Sequence, residues 1–381
     1  MKVAMIGQKG IPSRAGGIEV HVEELAKRLA GQGCDLIVYC REGYSDAPIG
    51  EPIQGLRVKK TSSINSKYLD AISHTLSSTI HALFAKCDIF HYHALGPSTL
   101  SFIPRLFGKK VVCTVHGLDW QRAKWGKLAS AYLKFGEYAT AQFSHETITV
   151  SDALVDYYKN KYTRKIEYIP NGVGKPTNLS PDLIRQKYGL DKDSYVLFLA
   201  RLVPEKGAHY LIEAFKSLPP GKRLVIAGGS SHSDEYVEGL RRMAADRDDI
   251  VFTGFVTGNE LNELYSNCYL YVLPSDIEGL PISLLEAMSY ENYCLTSDIA
   301  ENADIVGNLG TTFAASDPTD LANKLRYLLD NPDVVQSNRV KTREYVMQKY
   351  NWDDICQSTL NVYKRLEKRM MDYESLPALK K

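Results

Sequence analysis

The most constraining feature of the sequence is a strand–loop–helix pattern at residues 269–288. Residues 269–273 form a short apolar run of β-prone side chains, which is typical of a buried parallel strand. Residues 274–280 contain loop formers, and Pro281 is predicted to be the first helical residue because its fixed φ suits that position. A strand that leads through a loop into a helix is the repeating unit of α/β sheets. Ligands of such sheets bind at the edge where the strands end.

Two carboxylates, Glu278 and Glu286, lie in the loop and the helix of this pattern, with seven residues between them. The N–H groups near Gly279 and Leu280, at the start of the helix, form a natural anion site. An anion site beside carboxylates suits a ligand that carries both phosphate and sugar hydroxyl groups. The alternative interpretation is that both glutamates are solvated surface charges.

The N-terminal residues predict a second unit of the same kind. An apolar strand at residues 2–6 leads into a glycine-rich turn at residues 7–17 and then into an amphipathic helix. The G-x-G-x-x-G fingerprint of dinucleotide-binding folds is absent, so a nicotinamide enzyme is only weakly supported. Gly16 and Gly17 would still allow a diphosphate to approach the backbone closely. The alternative is a flexible loop that binds no ligand.

Polar or small residues recur where other predicted strands end. His116 follows one such strand, which makes it a candidate for polar chemistry at the ligand edge of the sheet. Arg201 and Lys206 follow another strand, and together these two cations suit a diphosphate. Gly254 and Phe255 end a further strand, where a base or a ribose could rest against the backbone.

Two histidines at the end of a predicted strand raise the question of a metal site. Side chains two residues apart on a strand point to the same face, so His91 and His93 are compatible with zinc. No third ligand lies nearby in the sequence, and we therefore predict no metal site. No Asp-x-Asp pair lies at the end of a predicted strand, and the pair Asp191 and Asp193 precedes one.

The length of 381 residues exceeds one comfortable hydrophobic core and predicts two domains. Residues 174–181 are rich in Gly, Pro, Ser and Asn and form the best candidate linker. We therefore expect an N-terminal Rossmann-like domain at residues 1–173 and a second one at residues 182–351. A helix at about residues 352–371 is expected to end the fold.

Composition excludes several classes of protein. A net charge of +1 argues against nucleic-acid binding by bulk electrostatics. Seven scattered cysteines fit the reducing cytoplasm better than a disulfide framework. No apolar run suits a signal peptide or a membrane span. The basic, aromatic residues 122–135 are compatible with peripheral contact to an anionic membrane, and the alternative is a packed helix with solvated lysines.

The sequence resembles the retaining glycosyltransferases of family 4 over nearly the whole chain. The resemblance is carried by Glu278-Gly279-Leu280-Pro281 with Glu286, by residues 200–207, by Gly16-Gly17-Ile18-Glu19 and by His116-Gly117. Residues 6–12 are similar to a bacterial polysaccharide-assembly branch that includes rhamnosyltransferases. The family implies a GT-B fold, in which two Rossmann-like α/β domains have parallel sheets that face each other across a cleft. The C-terminal helix is then expected to pack back on the first domain.

The resemblance also implies roles for individual residues. Arg201 and Lys206 would hold the donor diphosphate, Glu286 would bind the ribose hydroxyls, and His116 would contact the donor sugar near the reacting carbon. The implied catalytic residues are His116, Arg201, Lys206 and Glu278. The expected donor-binding residues are Gly16, Gly17, Arg201, Lys206, Gly254, Phe255, Glu278, Gly279, Leu280, Pro281 and Glu286.

The implied activity is a retaining, metal-independent transfer of a sugar from a nucleotide-diphosphate donor to a glycan or lipid-linked glycan precursor in cell-surface polysaccharide synthesis. The donor, such as a UDP- or dTDP-sugar, is a substrate, and no cofactor is expected. The expected location is the cytoplasm, at the inner face of the plasma membrane if residues 122–135 bind lipid. The alternatives are a GT-B nucleotide-sugar epimerase and a non-catalytic nucleotide-sugar-binding protein.

Overall fold

A computed structural model describes residues 1–12, 16–44, 56–66, 69–122, 125–231 and 233–374, and it describes side chains as far as residue 368. The chain divides into two compact units. Unit 1 consists of Met1–Asn171 and Trp352–Lys381, and unit 2 consists of Gly172–Asn351. The chain therefore leaves unit 1 to build unit 2 and then returns.

Unit 1 alternates strands and helices along the chain. Its strands are β1 (Lys2–Ile6), β2 (Asp35–Arg41), β3 (Arg57–Thr61), β4 (Ile89–His93), β5 (Lys110–Val115), β6 (Glu146–Thr149) and β7 (Glu167–Tyr168). Its helices are α1 (Gly17–Gly31), α2 (Asp70–Phe84), α3 (Leu95–Ser98), α4 (Phe102–Leu106), α5 (Lys127–Gln142), α6 (Asp152–Tyr162) and the C-terminal helix (Trp352–Glu374), with a 3-10 turn at Asp119–Gln121.

The strands of unit 1 form one parallel sheet in the order β3-β2-β1-β4-β5-β6-β7. The central strands are covered on both faces, which explains their nearly continuous apolar runs. The C-terminal helix is part of this core, because Trp352, Ile355 and Tyr363 share a hydrophobic cluster with Val22 and Leu25 of α1. Burial of each large apolar side chain contributes about 1.5–3 kcal/mol, which is sufficient to hold a helix so distant in sequence.

Unit 2 repeats the same plan. Its strands are β8 (Tyr195–Leu199), β9 (Arg223–Ala227), β10 (Ile250–Gly254), β11 (Leu270–Leu273), β12 (Cys294–Ser297) and β13 (Thr311–Phe313). Its helices are α7 (Asp182–Tyr188), α8 (Ala208–Lys216), α9 (Asp234–Met243), α10 (Gly258–Asn267), α11 (Ile282–Ser289), α12 (Ala300–Val306), α13 (Pro318–Asp330), α14 (Pro332–Ser337) and α15 (Arg339–Lys349), with a 3-10 turn at Pro204–Lys206.

The sheet of unit 2 is parallel and has the order β10-β9-β8-β11-β12-β13. Its first strand lies beside its fourth, as β1 lies beside β4 in unit 1. At such a switch point the connections that leave the two neighbouring strands turn to opposite faces of the sheet and open a crevice at their carboxyl ends. The prediction of two Rossmann-like α/β domains is confirmed.

Two details differ from the sequence-based expectation. Pro281 is not the first residue of α11: its ψ of 109° is extended, and the helix begins at Ile282. Residues 174–181, expected to be a linker, belong to unit 2. The backbone N–H of Thr177 donates to the Tyr290 hydroxyl (3.2 Å) and that of Leu179 donates to Ser266 Oγ (3.1 Å), so the unit holds this extended segment by hydrogen bonds.

All seven cysteines lie in the described ranges and are thiols. Among the helices that the structure describes, none combines the length and the apolar character needed to cross a bilayer.

A glycine sets the distance between two loops at the switch point of unit 2. Gly207 has φ +69°, and a Cβ atom there would overlap the backbone carbonyl of Pro274, which follows β11. Only a residue without a side chain allows the turn after β8 to approach the end of β11 this closely. Lys206, the neighbour of Gly207, is thereby placed beside the loop that follows β11.

Gly207→Ala is expected to lower the free energy of unfolding by at least about 2 kcal/mol, because it adds both left-handed strain and a backbone overlap. Gly221→Ala is a matched control, since a Cβ atom at Gly221 meets no neighbouring atom. Urea unfolding of both variants measures the difference. Equal stability of the two variants would contradict the close approach.

Candidate functional site

The crevice of unit 2 contains a buried ion pair between Lys206 and Glu278. Lys206 ends the 3-10 turn after β8, and Glu278 lies in the loop after β11. Their side chains are only 14% and 6% exposed. A backbone hydrogen bond from Asp276 N–H to the Glu205 carbonyl (3.0 Å) joins the two loops. The structure therefore brings together two site residues that are far apart in sequence.

The N-terminus of α11 lies at the same edge of the sheet. Gly279, Leu280 and Pro281 precede it, and the Pro281 carbonyl accepts from the N–H groups of Leu284 and Leu285. The N–H groups of the first helical turn have no partner within the helix and point out of its N-terminus. Because the helix dipole adds partial positive charge there, the end of α11 favours an anion.

Glu286, in α11, has a different environment from Glu278. Its Oε2 accepts a hydrogen bond from the Tyr265 hydroxyl (3.1 Å), which also donates to the Ser283 carbonyl (3.2 Å). Burial raises the pKa of the Glu286 carboxyl from about 4.5 to about 7, against the smaller opposing effect of the Tyr265 hydrogen bond. Part of the side chain remains exposed. Glu286 is therefore a partly buried acceptor that titrates near neutral pH.

Tyr271, in β11, braces α11 from below. Its hydroxyl donates to the Leu199 carbonyl at the end of β8 (3.1 Å) and lies 3.0 Å from Ser283 Oγ, whose hydroxyl can donate to it. These bonds tie the first turn of α11 to both strands of the switch point. The sequence pattern placed Tyr271 in the strand core, and it did not predict this link.

The remaining predicted residues of unit 2 also follow strands. Arg201 lies two residues after β8 and is half-buried. Gly254 ends β10 with φ +73°, and the ring of Phe255 beside it is 55% exposed. Since β10 is two strands from β8, these residues lie roughly 10 Å from the switch point. An exposed ring at that edge is suited to stack on a base.

In unit 1, the predicted glycine loop leads directly into α1. Gly16 is the N-cap with φ +113°, and Gly17 is the first helical residue. The Glu19 carboxylate folds back and accepts from the backbone N–H of Lys9 (3.0 Å), which fixes one end of the loop. Residues 13–15 of this loop lie outside the described residues.

His116 lies directly after β5, next to two other histidines. Its Nε2 is 3.3 Å from Nδ1 of His93, the last residue of β4. The ring of His21, one turn into α1, is 4.8 Å from that of His116 between centroids. Gly17, at the N-terminus of α1, lies about one helical turn before His21.

All three histidines are neutral at physiological pH. Burial lowers the pKa of His21 to about 4, and burial together with neighbouring histidines holds the pKa values of His93 and His116 well below the ordinary range. Each ring therefore carries one lone pair on nitrogen and one N–H group. His116 can accept or donate a hydrogen bond, and it is partly exposed.

The rings of His91 and His93 lie side by side, 4.2 Å apart between centroids, as their spacing predicts, but the nitrogens of His91 are already engaged. Both nitrogens of His91 are used inside the core, where Nδ1 contacts the Tyr363 hydroxyl (2.6 Å) and Nε2 contacts Thr114 Oγ1 (2.7 Å). His93 also contacts His21 and His116. No local pattern signals this convergence, although His21 lies on the buried face of an amphipathic helix, where a polar residue is unusual.

Helix α5 covers most of the segment predicted to contact a membrane; residues 123 and 124 lie outside the described part of the chain. Leu128 is 89% exposed, and Phe135 and Tyr138 are about half exposed. Lys127 and Lys134 are exposed in the same helix. The α5 face, defined by these five residues, combines apolar and basic side chains at helical spacing.

Comparisons with known proteins agree along the chain. Residues 15–174 match the family model described as Glycosyltransferase Family 4, and residues 181–349 match that described as Glycosyl transferases group 1. An uncharacterized glycosyltransferase of Methanocaldococcus jannaschii is 28% identical over 96% of this chain and 98% of its own length.

Solved structures resemble the fold. Sucrose-phosphate synthase from Thermosynechococcus elongatus has a TM-score of 0.85 and 20% identity, and the match covers 97% of this chain and 99% of that one. Anabaena HepE in complex with UDP-glucose has a TM-score of 0.79 and 17% identity, with coverage of 96% and 100%. At such identities the likeness concerns the fold, which is GT-B.

Glu286 is expected to make the stability of the protein depend on pH. The folded state holds the Glu286 proton more tightly than the unfolded chain, so ionisation lowers stability as the pH rises from about 4.5 to about 7. The full effect above pH 7 is at most about 3 kcal/mol. Glu286→Gln removes the titration. The unfolding free energy of the wild type, measured in urea, should therefore fall relative to that of Glu286→Gln as the pH rises from 5 to 8. A difference between the two proteins that does not change with pH would contradict the raised pKa.

Proposed function

Because the chain is a glycosyltransferase with the GT-B fold, we propose that it transfers a sugar from a nucleotide-diphosphate donor to a glycan or lipid-linked glycan precursor. The transfer retains the configuration of the donor carbon and needs no metal ion. Retention follows from the resemblance to family 4, and 1H NMR of the first product, which reports the anomeric configuration, tests it.

The proposal rests on the edge of the unit 2 sheet, where two cations and the N-terminus of a helix lie. Lys206 sits at the switch point beside the N-terminus of α11, and Arg201 follows the same strand as Lys206. A diphosphate would find two cations and a helix end there. In Anabaena HepE, a protein of the same fold, UDP-glucose is bound, which supports a nucleotide sugar as the ligand here.

Departure of the nucleotide requires stabilisation of negative charge. As the bond between the sugar and the diphosphate breaks, charge develops on the phosphate oxygens, and Arg201, Lys206 and the N–H groups of α11 are the groups to stabilise it. Because these groups are positioned before the reaction, little reorganisation opposes it. Such a set supplies the positive charge that a metal ion supplies in other transferases.

Glu278 changes partner when the donor binds. Without a donor it neutralises Lys206. When phosphate oxygens take over that cation, the carboxylate becomes available to hydroxyl groups of the donor sugar, together with the backbone of residues 279–281. The hydrogen-bonding partner of the Glu278 carboxylate therefore depends on whether the diphosphate is bound.

Glu286 is suited to bind the ribose. A carboxylate accepts hydrogen bonds from two adjacent hydroxyl groups, and Tyr265 holds one of its oxygens in place. The Phe255 ring, exposed at the same edge of the sheet, offers a surface for the base. In unit 1, His116 would contact the donor sugar, and Gly16 and Gly17 would approach the diphosphate.

The α5 face supports a lipid-linked acceptor. Its exposed apolar side chains would enter the interface of a bilayer, and its lysines would contact anionic headgroups. We therefore place the enzyme in the cytoplasm, at the inner face of the plasma membrane, where a lipid-linked glycan precursor for cell-surface polysaccharide would be presented.

The first test is a thermal-shift panel of UDP-, dTDP-, GDP- and ADP-sugars with EDTA present. A donor at a hundredfold excess over its dissociation constant is expected to stabilise the protein by about 2.7 kcal/mol. A shift with one nucleotide family identifies the base. The absence of a shift with every donor would contradict the site.

Lys206→Ala is expected to lower kcat by roughly 100- to 1,000-fold, because it removes one of the cations that stabilise the leaving diphosphate. The fold should survive, since the pair lies in loops at the edge of the sheet. Lys216→Ala, in α8, removes a partly exposed lysine that pairs with Asp246 and serves as the control. Unchanged turnover in Lys206→Ala would refute the role of this residue. Conversion of the donor alone into an epimeric nucleotide sugar would favour an epimerase.

Leu128→Asp with Phe135→Asp is expected to reduce sedimentation with anionic vesicles at least tenfold, because two carboxylates replace the apolar part of the α5 face. Both side chains are exposed, so melting temperature and turnover of a soluble acceptor should change little. Leu183→Asp, on an exposed surface of unit 2, controls for added charge. Equal sedimentation of all three proteins would exclude membrane docking through α5.

A further inference from the structure

Three imidazole rings converge in unit 1 from elements that are distant in sequence. His21 lies on α1, His93 ends β4, and His116 follows β5. One ring nitrogen of each lies within 4.8 Å of the corresponding nitrogens of the other two, and no other group of ligating side chains in the described part of the chain is arranged in this way. The role proposed for His116 in sugar transfer explains neither His21 nor His93.

Two nitrogens of this cluster are buried without a hydrogen-bond partner. They are Nδ1 of His21 and Nε2 of His93, and both residues are almost completely buried. A buried polar atom without a partner lowers the stability of the fold. The neighbouring His91 differs, because both of its nitrogens are bonded. His93 faces His116 through Nδ1, so its Nε2 would not contact an ion held between these rings. Other buried atoms, such as Nδ1 of His74, also lack a partner, so the convergence of the rings carries the argument.

We propose that His21, His93 and His116 bind a divalent transition metal ion, of which Zn²⁺ is the representative. Imidazole nitrogen is a preferred ligand of Zn²⁺, and three histidines with one open position form a known kind of zinc site. The rings are in the neutral form that coordinates metals.

The geometry fits this ion with a small adjustment. Zinc–nitrogen bonds of about 2.0–2.1 Å in a tetrahedral arrangement place ligand nitrogens about 3.4 Å apart. His93 Nδ1 and His116 Nε2 are 3.3 Å apart. The third nitrogen lies at most 4.8 Å away, and a rotation of the His21 ring about its side-chain torsions closes the difference. His116 is partly exposed, which gives the ion a route of entry.

The ion would inhibit the transferase. A metal that occupies His116 Nε2 withdraws that nitrogen from the donor sugar, while Arg201 and Lys206 still serve the diphosphate without a metal. This consequence rests on the proposed function, whereas the binding of the ion does not. Binding and inhibition are therefore tested separately.

Binding is measured by calorimetry with ZnCl₂ on the full chain after chelator treatment and dialysis. We expect one ion per wild-type chain, and His21→Gln should weaken binding at least about 100-fold. His81→Gln, outside the cluster but in the same unit, is the control and should bind like the wild type. His116→Gln, at a partly exposed position, provides a second variant if His21→Gln does not fold.

A Co²⁺ spectrum distinguishes histidine ligands from the seven thiols. Four-coordinate cobalt with nitrogen ligands should give ligand-field bands without a thiolate charge-transfer band, and the bands should disappear in the His21 or His116 variant. The proposal is overturned by the absence of stoichiometric binding, by binding that both variants retain, or by a thiolate spectrum.

Inhibition is measured once a donor and an acceptor are identified. Zn²⁺ should inhibit the wild type and His81→Gln at equal concentrations, while His21→Gln should require at least tenfold more. Stoichiometric binding without inhibition would keep the metal site and refute its effect on turnover. A chain that binds the ion but transfers no sugar after EDTA treatment would refute the proposed function and leave the metal site standing.

Discussion

The structure depends on the positions in each sheet where neighbouring parallel strands send their connections to opposite faces. At these positions the backbone leaves room for a ligand, and every loop that follows a strand opens on the same edge. In unit 2, β8 and β11 meet there and bring Lys206 to Glu278. In unit 1 the switch point lies between β1 and β4, and β5 beside β4 brings His116 to His93. The strand order of each unit thus determines which loops, and therefore which side chains, meet at the edge of its sheet.

The ion pair between Lys206 and Glu278 illustrates what a buried charge pair does in such a position. Removal of two charges from water costs about as much as their attraction returns, so the pair adds little net stability. Its effect is geometric. The carboxylate holds the ammonium group at the edge of the sheet, so the phosphate of the proposed donor would meet a cation already in place. Exchange of one anion for another requires little movement of Lys206.

Local sequence patterns predicted the features that depend on local physics. Apolar runs bounded by glycine and proline identified the strands, and the rule that ligands bind where strands end identified Lys206, Glu278 and His116 as candidates. Pro281 was assigned one residue too far into the helix. Its φ suits either position, and only its ψ, which the tertiary environment determines, places it outside α11.

The contacts that the sequence did not predict are those between elements distant in the chain. The sequence analysis gave Tyr271 no role beyond the buried strand and did not single out Tyr265, yet their hydroxyl groups contact Ser283 and Glu286. His21, on α1, meets His93 at the end of β4 and His116 after β5, although these elements are far apart in the chain. A pattern along one helix cannot specify which strand end lies beneath it. Such information resides in the strand order, which no single segment carries.

The return of the C-terminal helix to unit 1 affects how the protein can be made. A ribosome releases residues 1–171 first, but the core of that unit lacks Trp352, Ile355 and Tyr363 until the last part of the chain emerges. Unit 2 is continuous in sequence and is complete earlier. The second unit can therefore finish folding before the first. Part of the apolar surface of the first unit stays uncovered until the C-terminal helix is made.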